Sequence, residues 1–152
     1  MKATEFLTAA EKETVTAAIR DAELGTSGEI RIHLDEVCKG NPMKRAESVF
    51  RYLGMDRTVL HNGVLIYVAC QTKVFAVIGD SGINNAVPHD FWNDVIAMMK
   101  HRFSAGQYAE GLAEAVRMTG EKLKVHFPYK EGDVNELPDE ISFGTETERE
   151  NR

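Results

Sequence analysis

Apolar residues recur along this chain with two different periods, and the switches between them mark its elements. Thr8-Ala9-Ala10-Glu11 has the spacing of a capping box, in which the threonine and glutamate side chains each satisfy a free backbone donor. Val15, Ala18, Ile19 and Ala22 follow at helical steps until Gly25 supplies a stop, which predicts a helix over about 9–24. Glu29 to Asp35 then alternates polar and apolar residues, the signature of a strand with Glu29, Arg31, His33 and Asp35 on a wet face. Asn41 as N-cap and Pro42 at the first helical position predict a second helix from about 43 to Gly54. Gly63 to Cys70 is a continuous apolar run, as in a strand covered on both faces, and it is the predicted centre of the sheet. Lys73 to Ile78 is a further apolar strand after a gap short enough to force a hairpin.

Beyond Gly79-Asp80-Ser81-Gly82 the period turns helical. Pro88-His89-Asp90 opens a helix that carries Phe91, Trp92, Val95, Ile96, Met98, Met99 and Phe103 on a wide apolar face. After Gly106, Tyr108, Leu112, Val116, Leu123 and Phe127 mark a last helix. The expected architecture is a single α/β domain, three-layer-like, with a mixed central sheet built on a βαββ core and flanked by helices. Its crossover is right-handed if the first two strands are parallel. Helical periodicity ends at Pro128, which divides the chain into a domain of residues 1–128 and an acidic, flexible tail of residues 129–152.

Charge supports that division. The 152-residue chain has a formal charge of −6, but residues 129–152 hold three basic and eight acidic side chains, which leaves only −1 for residues 1–128. A nearly neutral body with no Lys/Arg cluster lacks the footprint of nucleic-acid binding. No apolar run approaches the roughly 18 to 20 residues of a membrane span, and no signal-peptide pattern opens the chain, so a cytoplasmic protein is expected. Cys38 and Cys70 form no CxxC pair and read as reduced structural residues.

Phosphate loops, dinucleotide fingerprints, HExxH and GxSxG motifs are all missing. The five histidines, at 33, 61, 89, 101 and 126, are isolated and each reads as a surface or loop residue. The most chemical stretch is Gly79-Asp80-Ser81-Gly82 at the end of an apolar strand, where ligands of open α/β sheets bind. Asp80 is the first candidate there, to be weighed against a turn aspartate that caps the next segment. The loop His61-Asn62-Gly63 enters the central strand and can face the same end. Asp35, ending the first strand, joins them only if that strand runs parallel to the third.

These pieces in this order resemble the TPM domain family. The carriers are Ser27-Gly28-Glu29-Ile30-Arg31-Ile32, then Asn62 to Ala69, then Phe75-Ala76-Val77-Ile78-Gly79-Asp80-Ser81-Gly82-Ile83, and the F-x-x-G-x-Y-x-x-G stretch from Phe103 to Gly111. The likeness covers roughly residues 5 to 127. It implies an α/β sandwich with a mixed sheet, in a family whose plant members are described as acid phosphatases with a divalent-metal-associated acidic site, while many bacterial members have no established activity. Family members often carry an acidic residue just before the Asn-Gly of the central strand, where His61 stands in this chain. Bacterial relatives commonly have a signal peptide and a membrane anchor, and neither is evident here.

The expected function is a non-catalytic interaction or scaffold module. Its partner would be a protein, such as a membrane-associated relative, and it requires no cofactor but is able to take a divalent cation. In that case Asp80, Asp35 and Asn62 would hold Ca²⁺ or Mg²⁺, and Gly79, Ser81, Gly82 and His61 would line the ligand site. The alternative is a metal-assisted acid phosphatase acting on phosphomonoesters, in which the same cation orients a water. Against it stands the lack of an Arg or Lys next to Asp80 in sequence to clamp a phosphate.

Overall fold

The computed structural model describes residues 2–130 and 141–144. Helix α1, Ala9–Glu23, starts from the predicted capping box: Thr8 Oγ1 accepts from the Glu11 N–H at 3.1 Å, and the Glu11 carboxylate accepts from the Thr8 N–H at 2.8 Å. Strand β1, Glu29–Asp35, follows. Helix α2, Pro42–Tyr52, is capped by Asn41 Oδ1, which accepts from the Met43 N–H. Strands β2, Gly63–Ala69, and β3, Val74–Gly79, form the hairpin. Then come a four-residue helix α3, Ser81–Asn84, the longer α4, Asn93–Ser104, and α5, Tyr108–His126. A two-residue strand β4, Ser142–Phe143, closes the order.

The sheet runs β3-β2-β1-β4, with β1 parallel to both β2 and β4 and β2 antiparallel to β3. This is the expected mixed sheet on a βαββ core. One face carries Ile30, Ile32, Leu34, Val64, Ile66 and Val68 against Val15 and Ile19 of α1, Val95 and Met99 of α4, and Leu112, Val116 and Leu123 of α5. The other face carries Leu65, Tyr67, Ala69 and Ala76 against Ala46, Val49 and Phe50 of α2 and nearby Met55. Helices therefore cover both faces, and β2 is buried along its whole length, which explains its unbroken apolar run.

Three expectations are corrected. The polar face of β1 is not wet: Glu29, His33 and Asp35 are buried, because α2 reaches over that side and β4 lies beside it. His33 is accordingly a core histidine and not a surface one. The helix expected from Pro88 begins at Asn93, since residues 88–92 form hydrogen-bonded turns from Phe91 N–H to Pro88 O and from Asn93 N–H to Asp90 O.

Of the segment expected to be a flexible tail, residues 131–140 and 145–152 lie outside the described residues. Residues 141–144 return to the far edge of β1, where Ile141 is buried, Phe143 packs on the core and Gly144 N–H donates to Leu34 O. Both cysteines are free and buried. Burial pushes the Cys70 thiol above its ordinary pKa.

Candidate functional site

Two polar constellations stand at opposite ends of β1. Parallel pairing of β1 with β2 sets Glu29 beside Gly63 and Asp35 beside Ala69, while antiparallel β3 brings Gly79 back beside Val64. Asp80 thus sits at the start of β1 and Asp35 at its end, about 20 Å away by strand rise. A site of Asp80, Asp35 and Asn62 is not assembled, because the required parallel arrangement of β1 and β3 does not occur.

At the Asp35 end the carboxylate is fully buried and saturated with donors. Arg45 of α2 approaches as a fork, Nε to Oδ2 at 2.7 Å and Nη2 to Oδ1 at 3.1 Å. Tyr67 O–H donates to Oδ2 at 2.6 Å, and His33 Nε2–H donates to Oδ1 at 3.0 Å. His33 Nδ1 lies 2.8 Å from Ser142 Oγ, whose hydroxyl also reaches Ile32 O at 3.2 Å. Burial alone would raise the Asp35 pKa, but the bonds from His33, Arg45 and Tyr67 outweigh it and hold the carboxyl well below its usual range. Burial, together with the hydrogen bond to this anion, pushes the Tyr67 hydroxyl far up.

Serine, histidine and aspartate are thus in line, but the arrangement does not amount to a hydrolytic triad. The aspartate is neutralised by Arg45, His33 has no solvent exposure, and the serine hydroxyl reaches a backbone carbonyl. What the network does is tie β1, β2, α2 and β4 together.

At the other end, two loops are stitched to one another. Gly82 N–H donates to His61 O at 2.9 Å and Asp80 N–H to Gly63 O at 2.9 Å. A Cβ at Gly82 would meet Leu60 O at 2.4 Å and His61 O at 2.5 Å, so only glycine permits this approach. Asp80 caps α3: its Oδ1 accepts from Ser81 N–H at 2.7 Å, and its Oδ2 lies 3.3 Å from His61 Nδ1. Asn62 is buried and directs its amide to Ser27 Oγ at 3.4 Å, pinning the entry to β1.

Gly79, Asp80, Ser81, Gly82, His61 and Asn62 are therefore brought together, and Gly79, Asp80 and Ser81 line an open cleft of about 440 Å³. Its opposite wall is one face of α2, formed by Met43, Glu47, Phe50 and Arg51, with Asp56 and Trp92 at its margins.

Arg51, Glu47 and Asp56 were not among the candidates from sequence. Their signal was present in α2, where Met43, Glu47, Phe50 and Arg51 follow steps of four, three and one and so share a helical face. Arg51 lines the same cleft as Asp80, although no Arg or Lys stands next to Asp80 in sequence. The cleft does not offer a preformed metal centre. Among the described residues no three His, Cys, Asp or Glu side chains gather to hold an ion, and both Asp80 oxygens already face partners.

The fold has solved relatives. BA42 from the psychrophilic bacterium Bizionia argentinensis is 46% identical and superposes with a TM-score of 0.87 over 92% of this chain and 97% of that one. The N-terminal domain of a P. gingivalis protein matches at 20% identity and TM-score 0.66, over 81% and 80% of the two chains. The N-terminal domain of cg2496 from Corynebacterium glutamicum matches at 12% and 0.62, over 77% and 74%. At these lower identities the likeness is one of fold. Among curated proteins none matches this chain. The sequence model of the TPM domain matches residues 1–122, which run from the first residue to the last turns of α5, and with BA42 it shows that the chain belongs to the TPM domain family.

Proposed function

We propose that this protein is a non-catalytic interaction module that holds a protein partner at the Asp80 end of its sheet. The observation that carries the reading is the composition of the cleft. Apolar Met43, Phe50 and Trp92 line it together with charged Arg51, Glu47 and Asp56, the mixture of anchor and rim found where proteins dock. Asp80 serves the structure of that cleft, since its carboxylate caps α3 and faces His61. The reading needs no metal, and no helix among the described residues is long and apolar enough to cross a membrane.

A second reading is favoured by one specific placement. Arg51 shares the cleft with Asp80, and a guanidinium there is the group a phosphomonoester needs, so acid phosphatase chemistry is the alternative. Titrating labelled protein with Ca²⁺ and Mg²⁺, and assaying p-nitrophenyl phosphate with wild type, Asp80→Ala and Arg51→Ala, separates the two. The module reading expects no saturable shift at Asp80 and no hydrolysis that depends on either residue. Hydrolysis abolished by both substitutions would replace it with the phosphatase. A photo-crosslinking residue at Glu47 should also yield a discrete partner adduct that one at exposed Arg20 does not.

A further inference from the structure

Strand β3 is the open edge of the sheet, with β2 on one side and no strand on the other among the described residues. The Asp80 N–H to Gly63 O bond sets the hydrogen-bonded pairs of the hairpin at Leu65 with Ile78, Tyr67 with Ala76 and Ala69 with Val74. By the same alternation the N–H and C=O groups of Phe75 and Val77 point away from β2. They point into a trough. A cavity of about 390 Å³ runs along Val74–Val77 between Pro42 and Met43 of α2 and Ile96 and Lys100 of α4. It shares Met43 and Val77 with the Asp80 cleft, and Lys73, Val74, Phe75 and Lys100 with a further cavity of about 230 Å³ that ends at Cys70 and Phe103.

The three cavities adjoin one another along the edge of β3, about 20 Å long for its six residues, and the two at its Val74 end are lined mainly by apolar side chains. Charge polarises it: among the described residues Lys73 and Lys100 are the only charged side chains lining two of the cavities, while Glu47, Asp56 and Asp80 outnumber Arg51 in the third.

We infer that the partner adds an extended segment to β3 as a further strand of the sheet, alternating β-branched or aromatic residues with polar ones. Its acidic end meets Lys73 and Lys100, and its basic end meets Glu47, Asp56 and Asp80. Main-chain bonds to Phe75 and Val77 supply the pairing, and the charges at the two ends supply direction. The opposite edge shows that this sheet accepts short additions, since β4 pairs with β1 through two residues. The inference rests on the reading of the protein as an interaction module and names how that module binds.

The probe is a phage-displayed library of seven-residue peptides in which Val, Ile, Thr, Phe or Tyr alternates with Asp, Glu, Lys or Arg. Enriched peptides are expected to be acidic at one end and basic at the other. At saturation they should slow amide hydrogen exchange of Phe75 and Val77 at least tenfold, and Lys73→Glu with Lys100→Glu should weaken them at least tenfold. Val77→Pro removes an N–H that β2 does not use, so it should lose the peptide while the β1 and β2 amide signals stay in place. Peptides that bind without slowing exchange at Phe75 and Val77 would sink strand addition and leave the module reading standing. No enrichment over the double charge variant, or saturation of the trough by dodecanoate alone, would also overturn it. Failure of the Glu47 adduct would count against the module itself.

Discussion

Replacing Asp35 by asparagine probes the buried network most directly. The substitution keeps the shape but removes the charge that Arg45 and His33 face, leaving a guanidinium whose side chain is only 16% exposed without its anion. Removing one partner of a buried pair costs about 3–5 kcal/mol, and the residual exposure of Arg45 argues for the lower end, about 3 kcal/mol. With a urea slope of about 2 kcal/mol per molar for a domain of this size, the unfolding midpoint should fall by about 1.5 M. A cycle with Arg45→Met should return a coupling energy of about 1–3 kcal/mol, because the two side chains share two hydrogen bonds.

The pH dependence has a definite sign. In the folded protein the Asp35 carboxyl titrates below its ordinary value of 3.8, so the unfolded chain binds more protons across that interval. The stabilisation is complete above the ordinary value and fades as pH falls through it toward the depressed one. The gap between wild type and Asp35→Asn should therefore narrow on going from about pH 6 to about pH 3. A midpoint shift below about 0.5 M in urea, or a gap that widens in acid, would refute the argument that Asp35 is a buried anion on which Arg45 depends.

Ser142→Ala removes the hydroxyl beside His33, and should cost about 1 kcal/mol in the same titration while speeding amide exchange at Gly144, whose N–H bonds to Leu34 O. Gly82→Ala forces a methyl within 2.5 Å of two backbone oxygens, and should destabilise by at least about 2 kcal/mol while shifting the amide signals of His61 and Asp80. Thr8→Ala removes the side-chain acceptor of the capping box while leaving the backbone N–H of residue 8 to bond Glu11, and should cost about 1 kcal/mol, seen as fraying of the first turn of α1 in hydrogen exchange.

Elements whose cause is local were legible in the chain. The capping box of α1, the Asn41-Pro42 start of α2 and the unbroken apolar run of β2 each carry their reason within a few residues, and each stands close to where it was expected. What escaped depends on distant neighbours. Alternation in β1 separates two faces but does not tell a face in water from one satisfied by buried partners. His33 and Asp35 are polar because Arg45, Tyr67 and Ser142 meet them. Ile141 and Phe143 were hidden for the same kind of reason, as apolar residues set among acidic ones whose strand is defined only by β1. At the candidate site, proximity in sequence brought His61, Asn62 and Asp80 together correctly, because a hairpin joins their loops. Asp35 failed since strand direction decides which end it occupies. Arg51 was missed because helix packing, and not chain order, carries it into the cleft that Asp80 lines.

Ser142 and His33 are 109 positions apart, and β4 completes the sheet on the far side of β1. At ribosomal speeds that separation is on the order of 10 s of synthesis. During this interval β1 presents a free edge of N–H and C=O groups, the kind of template on which nascent chains pair with the wrong partner. Residues 141–144 thus matter in time as well as in space: the far edge of β1 stays unpaired until they, the last described part of the chain to be made, reach it.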